Sequence, residues 1–387
     1  MHVPEGWRLI KLGDLLSFKN GINADAGAYG VGTKFVNLLD IFNNKYLHYK
    51  DIVGKVNATD KQREDYSVKK GDILFNRTSE IREEIAFSSV YFDEKEAVFG
   101  GFVIRGRPEK KWIDKDYSIY AFRHEYFRNQ VVRMAQGAVR ANIGQKDLSV
   151  VNLLLPPIAE QEKIAEILST WDHAIEQTER LKANAETHKQ ALMQQLLTGK
   201  KRFPEFEGEW EAKVLGDIVK ISKGQQKNRI DLTANGKYPV INGGIEPSGY
   251  TDEYNRMENI ITISEGGNSC GYVNFIKTKF WCGGHCYSML EPSIDNHFLF
   301  HALKFREKAL MQLRVGSGLP NIQKRDVESF KIKYPKITEE QQKIAAVLSA
   351  ADREIELLAQ KLDHLKTEKR ALMQQLLTGK RRVKVDG

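Results

Sequence analysis

The chain has 387 residues, 41% hydrophobic and 28% charged, an ordinary balance for a globular protein and a length that suits two domains plus connecting elements. No apolar run approaches the roughly 20 residues that span a bilayer, the opening Met1-His2-Val3-Pro4-Glu5-Gly6-Trp7 lacks the features of a secretory signal, and three cysteines argue against a disulfide framework. A cytoplasmic protein with no membrane partner is expected, and a net charge of +8 with a pI near 9.1 favours a polyanionic ligand.

In chain order, the first body opens on Trp7, Leu12-Gly13-Asp14 and Gly21, with Lys19 and Asn20 just ahead of the last glycine. Apolar runs punctuated by glycine predict strands at residues 72–75, 97–99 and 102–104. Asn76-Arg77-Thr78-Ser79 follows the first of these directly. A helical pattern covers residues 118–135, and Arg140, Asn142, Gln145 and Lys146 precede a final strand. From about residue 159 to 197 there is no proline or glycine, and Ala, Leu, Glu, Gln and Lys abound, which predicts one long helix stopped at Thr198-Gly199-Lys200. Its apolar stripe of Ile164, Leu168, Trp171 and Ile175 turns polar at Thr178 and Lys182, then resumes at Leu192 and Leu196.

The second body repeats the order. Trp210, Leu215-Gly216-Asp217 and Gly224 open it, with Lys223 and Gln225 flanking the last glycine. Strands are predicted at residues 238–241, 259–263 and 271–275, and a helical pattern at residues 297–313. Asn321, Gln323, Lys324 and Arg325 precede its final strand. A second long helix is predicted from about residue 339 to 377, with a regular 3,4-spaced stripe through Ile344, Leu348, Ala351, Ile355, Leu358, Leu362, Leu365, Leu372 and Leu376.

The two halves are copies of one plan. Ala-Leu-Met-Gln-Gln-Leu-Leu-Thr-Gly-Lys stands unchanged at residues 191–200 and 371–380. Lys163-Ile164-Ala165, Leu168-Ser169 and Asp172 recur as Lys343-Ile344-Ala345, Leu348-Ser349 and Asp352 at the same offset of 180. The seams are too apolar to remain solvated, and an intramolecular antiparallel pair of helices, each roughly 55–60 Å long, is the simplest way to cover them. The expected fold class is mixed α/β, with two globular bodies at residues 1–155 and 206–335. A central helix segment (156–205) and a C-terminal one (336–387) form a coiled coil under pseudo-two-fold symmetry.

Motifs for catalysis are missing. Each Thr-Gly-Lys lacks the upstream glycine of a phosphate-binding loop. Leu155-Pro156-Pro157-Ile158 lacks the acid or amide of an amino-methyltransferase motif, and no acid-rich nuclease core is visible. The chain reads as a binder. Cys270, Cys282, His285 and Cys286 form a ligand-like cluster, but Cys270 has no paired neighbour, so buried cysteines on strands are the plainer reading and no metal is assigned. Asn242-Gly243-Gly244-Ile245 and Ser264-Glu265-Gly266-Gly267-Asn268-Ser269 combine close backbone approach with donors and acceptors suited to bases or phosphates. The same residues also serve plain turns.

Asn142-Ile143-Gly144-Gln145-Lys146-Asp147-Leu148, Leu155-Pro156-Pro157, Glu160-Gln161-x-Lys163-Ile164-Ala165, Lys70-Gly71-Asp72-Ile73-Leu74 and the twin Leu-Leu-Thr-Gly-Lys ends together resemble the specificity (S) subunit of type I restriction–modification systems. The resemblance spans essentially the whole chain, in duplicate. It implies a non-catalytic subunit that recognises double-stranded DNA through two target-recognition domains, each reading one half of a split, asymmetric site. It also implies two methyltransferase subunits docked on the helices and, in the full complex, restriction subunits. S-adenosylmethionine, ATP and Mg would then belong to those partners, and no cofactor to this chain.

Under this reading the expected DNA-contacting residues are Lys19, Asn20, Arg77, Thr78, Ser79, Arg140, Asn142 and Lys146 in the first body. In the second they are Lys223, Gln225, Asn242, Gly243, Gly244, Asn268, Ser269, Asn321 and Lys324. Leu168, Ile175, Leu192, Leu196, Leu348, Ile355, Leu362, Leu372 and Leu376 are expected to pack the helices or a partner. A coiled-coil scaffold whose bodies bind proteins rather than DNA is the alternative.

Overall fold

A computed structural model describes residues 3–316, 318 and 320–385; the first two residues of the opening segment and the last two of the chain lie outside the described residues. The chain divides into two compact units, Met1–Gln177 with Leu362–Gly387, and Thr178–Lys361. Each holds one globular body and a share of both long helices.

In the first unit a five-stranded sheet runs in the order Leu16–Asn20, Val103–Pro108, Ile73–Asn76, Ser88–Tyr91, Tyr46–Leu47. A four-stranded sheet with Tyr29–Val36 and Ala97–Phe99 at its centre stands beside it. Its core centres on Phe75, Phe122 and Phe127, with Phe75–Phe122 and Phe122–Phe127 edge to face at 5.2 Å between centroids. The second unit keeps four strands in the corresponding order, Lys220–Lys223, Cys286–Leu290, Ile260–Ser264, Val273–Ile276. In both, the opening strand pairs antiparallel with the strand before the long helix: Arg8–Lys11 with Asn152–Leu155, and Glu211–Val214 with Lys331–Tyr334.

The single helical patterns expected at residues 118–135 and 297–313 each break in two. Lys115–Ala121 is followed by Glu125–Met134, because the His124 ring nitrogen accepts from the Tyr126 N–H at 3.2 Å and starts a new helix. Asn296–Phe305 is followed by Glu307–Met311, with Arg306 as the joint. Cys270, Cys282 and Cys286 are free and buried, and among the described residues no group of three or more His, Cys, Asp or Glu is arranged to hold a metal ion.

The long helices run Ile158–Leu196 and Thr338–Leu376, 39 residues each, one residue earlier at both ends than the composition predicts. In the first unit Ile164, Ala165 and Leu168 share a core with Leu376 and Leu377. In the second, Ile344, Ala345 and Leu348 share one with Met193, Leu196 and Leu197. The start of one helix therefore meets the end of the other in each unit, and the pair is antiparallel. Leu168, Leu196, Leu348 and Leu376 are buried, while Ile175, Leu192, Ile355, Leu362 and Leu372 are half-buried. Along the polar stretch of the first stripe, Thr178 is buried and Lys182 is half-buried.

Polar clamps repeat at the same offset. Arg382 grips Glu160 with two guanidinium nitrogens (Nε at 2.9 Å), and Arg202 grips Glu340 the same way at 2.8 and 2.7 Å. Gln161 donates to the Pro156 carbonyl and accepts from Asp114 N–H, each at 2.8 Å; Gln341 does so with Pro335 at 2.8 Å and Asp295 at 2.7 Å. The decapeptide now has a physical meaning. Its leucines join the body at which the helix ends, and Gly199 (φ +70°) and Gly379 (φ +67°) take the left-handed turn that stops it. That turn delivers Arg202 and Arg382 to their glutamates.

Candidate nucleic-acid interface

Both bodies build the same cradle of backbone. In the first, Arg77 N–H donates to the Phe102 carbonyl at 2.8 Å, and the Arg77 carbonyl accepts from Ile143 N–H at 3.0 Å. In the second, Glu265 N–H donates to the His285 carbonyl at 2.9 Å, and the Glu265 carbonyl accepts from Ile322 N–H at 2.9 Å. Asn142 exchanges two backbone hydrogen bonds with Gln136, and Asn321 exchanges two with Val315. Gly21 and Gly224 close the cradles, since a Cβ on either would lie 2.2 Å from the carbonyl oxygen of Gly100 or Gly283. Arg77, Phe102 and Asn20 of one body thus occupy the places of Glu265, His285 and Lys223 in the other.

The first cradle gathers most of the expected residues. Thr78 and Ser79 pair with Ala141–Asn142, and Arg140 reaches Glu80 at 3.0 Å. The Thr78 and Ser79 side chains are buried, and the Ser79 hydroxyl donates to Glu84 at 3.0 Å. Arg77 is half-buried, with one guanidinium nitrogen 3.4 Å from the Gly101 carbonyl. With its amide turned to satisfy both neighbours, Gln145 accepts from Asn20 N–H and donates to the Phe18 carbonyl, each at 3.0 Å, which brings exposed Lys146 to the same end. Lys19 is spent on Asp65 at 2.9 Å and lies 4.9 Å from the Tyr66 ring centroid. Asp147 of the repeated motif acts as a cap, accepting from Gly144 N–H at 2.9 Å. Phe102, Ile81 and Val139 are exposed around this end, and Phe102 was not among the sequence candidates.

In the second body Asn242 accepts from His285 N–H at 2.9 Å, and the Gly243 carbonyl accepts from Ser264 at 2.8 Å and from Ser269. The Gly266 and Asn321 backbones bridge, so the Gly-rich loops and the Asn321 turn converge. Gly244, Asn268 and Gln225 are exposed; Lys324 is exposed and lies 3.3 Å from Glu328. Lys223 pairs with Glu265 Oε1 at 2.6 Å, and the Tyr287 hydroxyl donates to the same oxygen at 2.9 Å. Burial, and then this carboxylate, push the Tyr287 phenol far above its ordinary range, so it stays a donor. Neither Glu265 nor His285 is among the expected DNA contacts, although Glu265 lies inside the loop that supplies Asn268 and His285 stands in the cysteine cluster.

Residues 4–187 and 207–367 each match the type I restriction modification DNA specificity domain. The chain belongs to that family. It is a specificity subunit, the DNA target-recognition component of a type I restriction–modification complex, and the family is non-catalytic: the enzymatic activities reside in the methyltransferase and restriction subunits. The family itself binds no cofactor. A putative type I restriction enzyme MjaX specificity subunit of Methanocaldococcus jannaschii is 29% identical over 99% of this chain and 95% of its own length. A putative type I specificity subunit of Mycoplasma pneumoniae is 38% identical over 38% of this chain and 40% of its own. The crystal structure of a type I restriction–modification S subunit from M. genitalium shares the fold, with a TM-score of 0.68, 17% identity and coverage of 97% of this chain and 98% of that one. No helix of the specificity subunit, over its described residues, is long and apolar enough to cross a membrane.

Proposed function

We propose that each body of this specificity subunit reads one half of a bipartite, asymmetric DNA site, residues 1–155 one half and residues 206–335 the other. The helical segments at residues 156–205 and 336–387 dock two methyltransferase subunits. Restriction subunits join the same intracellular complex, and S-adenosylmethionine, ATP and Mg stay with the partners. The observation that carries this reading is the contrast between what was kept and what drifted. The clamps Glu160–Arg382 and Glu340–Arg202 repeat the same bidentate arginine–carboxylate pair, which suits one partner bound twice. The cradle positions instead carry Arg77 against Glu265, side chains of opposite charge that favour different bases, and the apolar Phe102 ring against the hydrogen-bonding ring of His285.

The test is to express the chain with its methyltransferase subunits and map methylated adenines across a genome. The expected result is one split motif with two unlike halves. Arg77→Ala should relax or weaken the motif in one half, and Asn268→Ala in the other. Equal binding of all duplexes at physiological salt by the assembled complex would sink the proposal and favour the protein-binding scaffold.

A further inference from the structure

We infer that Glu265 and His285 form a base-reading pair in the second body, in which the free carboxylate oxygen of Glu265 accepts a hydrogen bond from the exocyclic amine of a cytosine or adenine in the major groove. The inference rests on the half-site reading above and names the chemistry at one of its positions.

Glu265 is only 9% exposed, and its two oxygens are used unequally. Oε1 faces the Lys223 ammonium at 2.6 Å and the Tyr287 hydroxyl at 2.9 Å, a hydroxyl that also lies 3.1 Å from the Ile322 carbonyl. Oε2 is buried and has no hydrogen-bond partner. A buried carboxylate oxygen left without a donor is costly, so a site that keeps one has a use for it. His285 Nδ1 stands 3.5 Å from Oε2, too far for a hydrogen bond, on a side chain that is 64% exposed. His285 therefore lies over Oε2 as a movable cover.

The surroundings are those of a reading site rather than of a core. Ser264 and Ser269 tie Gly243 against the loop, and Gly267, at φ +79°, has open space where a Cβ would be. The Lys223 ammonium neutralises the carboxylate, which removes its repulsion for phosphates nearby. When the imidazole swings out, a base edge can enter and an amine N–H can reach Oε2. A carboxylate accepts only, so carbonyl-edged guanine and thymine are rejected at that contact. The first body has Arg77, a donor only, at the equivalent backbone position, which inverts the preference and accounts for two unlike half-sites.

The experiment uses the complex of the full chain with its methyltransferase subunits. The methylated motif of the wild type supplies the DNA and tests the half-site reading by itself. Fluorescence anisotropy then compares that duplex with duplexes in which single half-site bases lack the exocyclic amine (2-pyrimidinone for cytosine, purine for adenine), using wild type, Glu265→Gln and His285→Ala. One position in one half should lose about tenfold in affinity on amine deletion with wild type and nothing further with Glu265→Gln. His285→Ala, at an exposed side chain, should fold and change the affinity at that same position, because it removes the ring beside Oε2. If no amine deletion is coupled to Glu265, with the complex folded and binding its motif, the inference is wrong. If Glu265→Gln does not fold, His285→Ala decides: a single amine-sensitive position whose affinity it alters supports the pair, and unchanged affinity at every position overturns it.

Discussion

His301 should make the second unit sensitive to mild acid. It sits on Asn296–Phe305 at 1% exposure, with Nε2 at 3.0 Å from the Ser349 hydroxyl and Nδ1 without a hydrogen-bond partner, 3.8 Å from Asp352. Burial pushes its pKa down from 6.5 to about 4, against the weaker pull of Asp352. Above pH of about 6.5 the imidazole is neutral in the folded and unfolded chain, and nothing is lost. Between about 6.5 and 4 the unfolded chain takes up a proton that the folded one refuses, so stability falls. The loss should be about 2 kcal/mol at pH of about 5, and about 3 kcal/mol once both forms are protonated. The assay is denaturant unfolding at about pH 8 and pH 5, read from the fluorescence of Trp210 and Trp281, for the wild type and His301→Gln. Gln can still hydrogen-bond Ser349 but does not titrate, so the variant should lose about 2 kcal/mol less between the two pH values. Parallel losses would refute the buried neutral imidazole.

The seam and its clamps make further predictions. Leu168→Ala and Leu348→Ala, at fully buried positions, should each cost about 3 kcal/mol in denaturant unfolding, and Ile355→Ala, half-buried, clearly less. Arg202→Ala and Arg382→Ala should both lower stability in denaturant unfolding, Arg202→Ala the more, because it leaves buried Glu340 without its arginine while Glu160 keeps the Trp7 Nε1–H donor at 3.3 Å; a larger loss for Arg382→Ala would argue against these clamps. Asp172→Ala should cost about 3 kcal/mol, since it leaves buried Lys369, 2.5 Å away, without its partner. Its pseudo-symmetric counterpart Asp352→Ala should cost no more than about 1 kcal/mol, because that carboxylate is more exposed. Gly21→Ala and Gly224→Ala should weaken recognition in one half of the methylated motif each, as the new Cβ pushes the Gly100 or Gly283 carbonyl aside. Unchanged motifs in both would remove the cradles from the interface.

The duplicated plan, the two long helices to within a residue, and the antiparallel pairing were all legible in the chain. Helix periodicity and an exact repeat are local signals, and a 39-residue helix with an apolar stripe has few ways to bury it. Several strands were legible for the same reason, and residues 97–99 and 238–241 match Ala97–Phe99 and Tyr238–Ile241 end to end. What the sequence could not supply was equivalence across diverged bodies. Arg77 and Glu265 share a backbone position only because Ile143 and Ile322 bond to them from more than 50 residues away. The Ser79 side chain is buried with its hydroxyl on Glu84, while Glu265, among the loop residues, has one carboxylate oxygen without a hydrogen-bond partner. Whether a polar side chain is spent inside the fold or left for a ligand depends on which distant groups arrive beside it, and only tertiary structure brings them there.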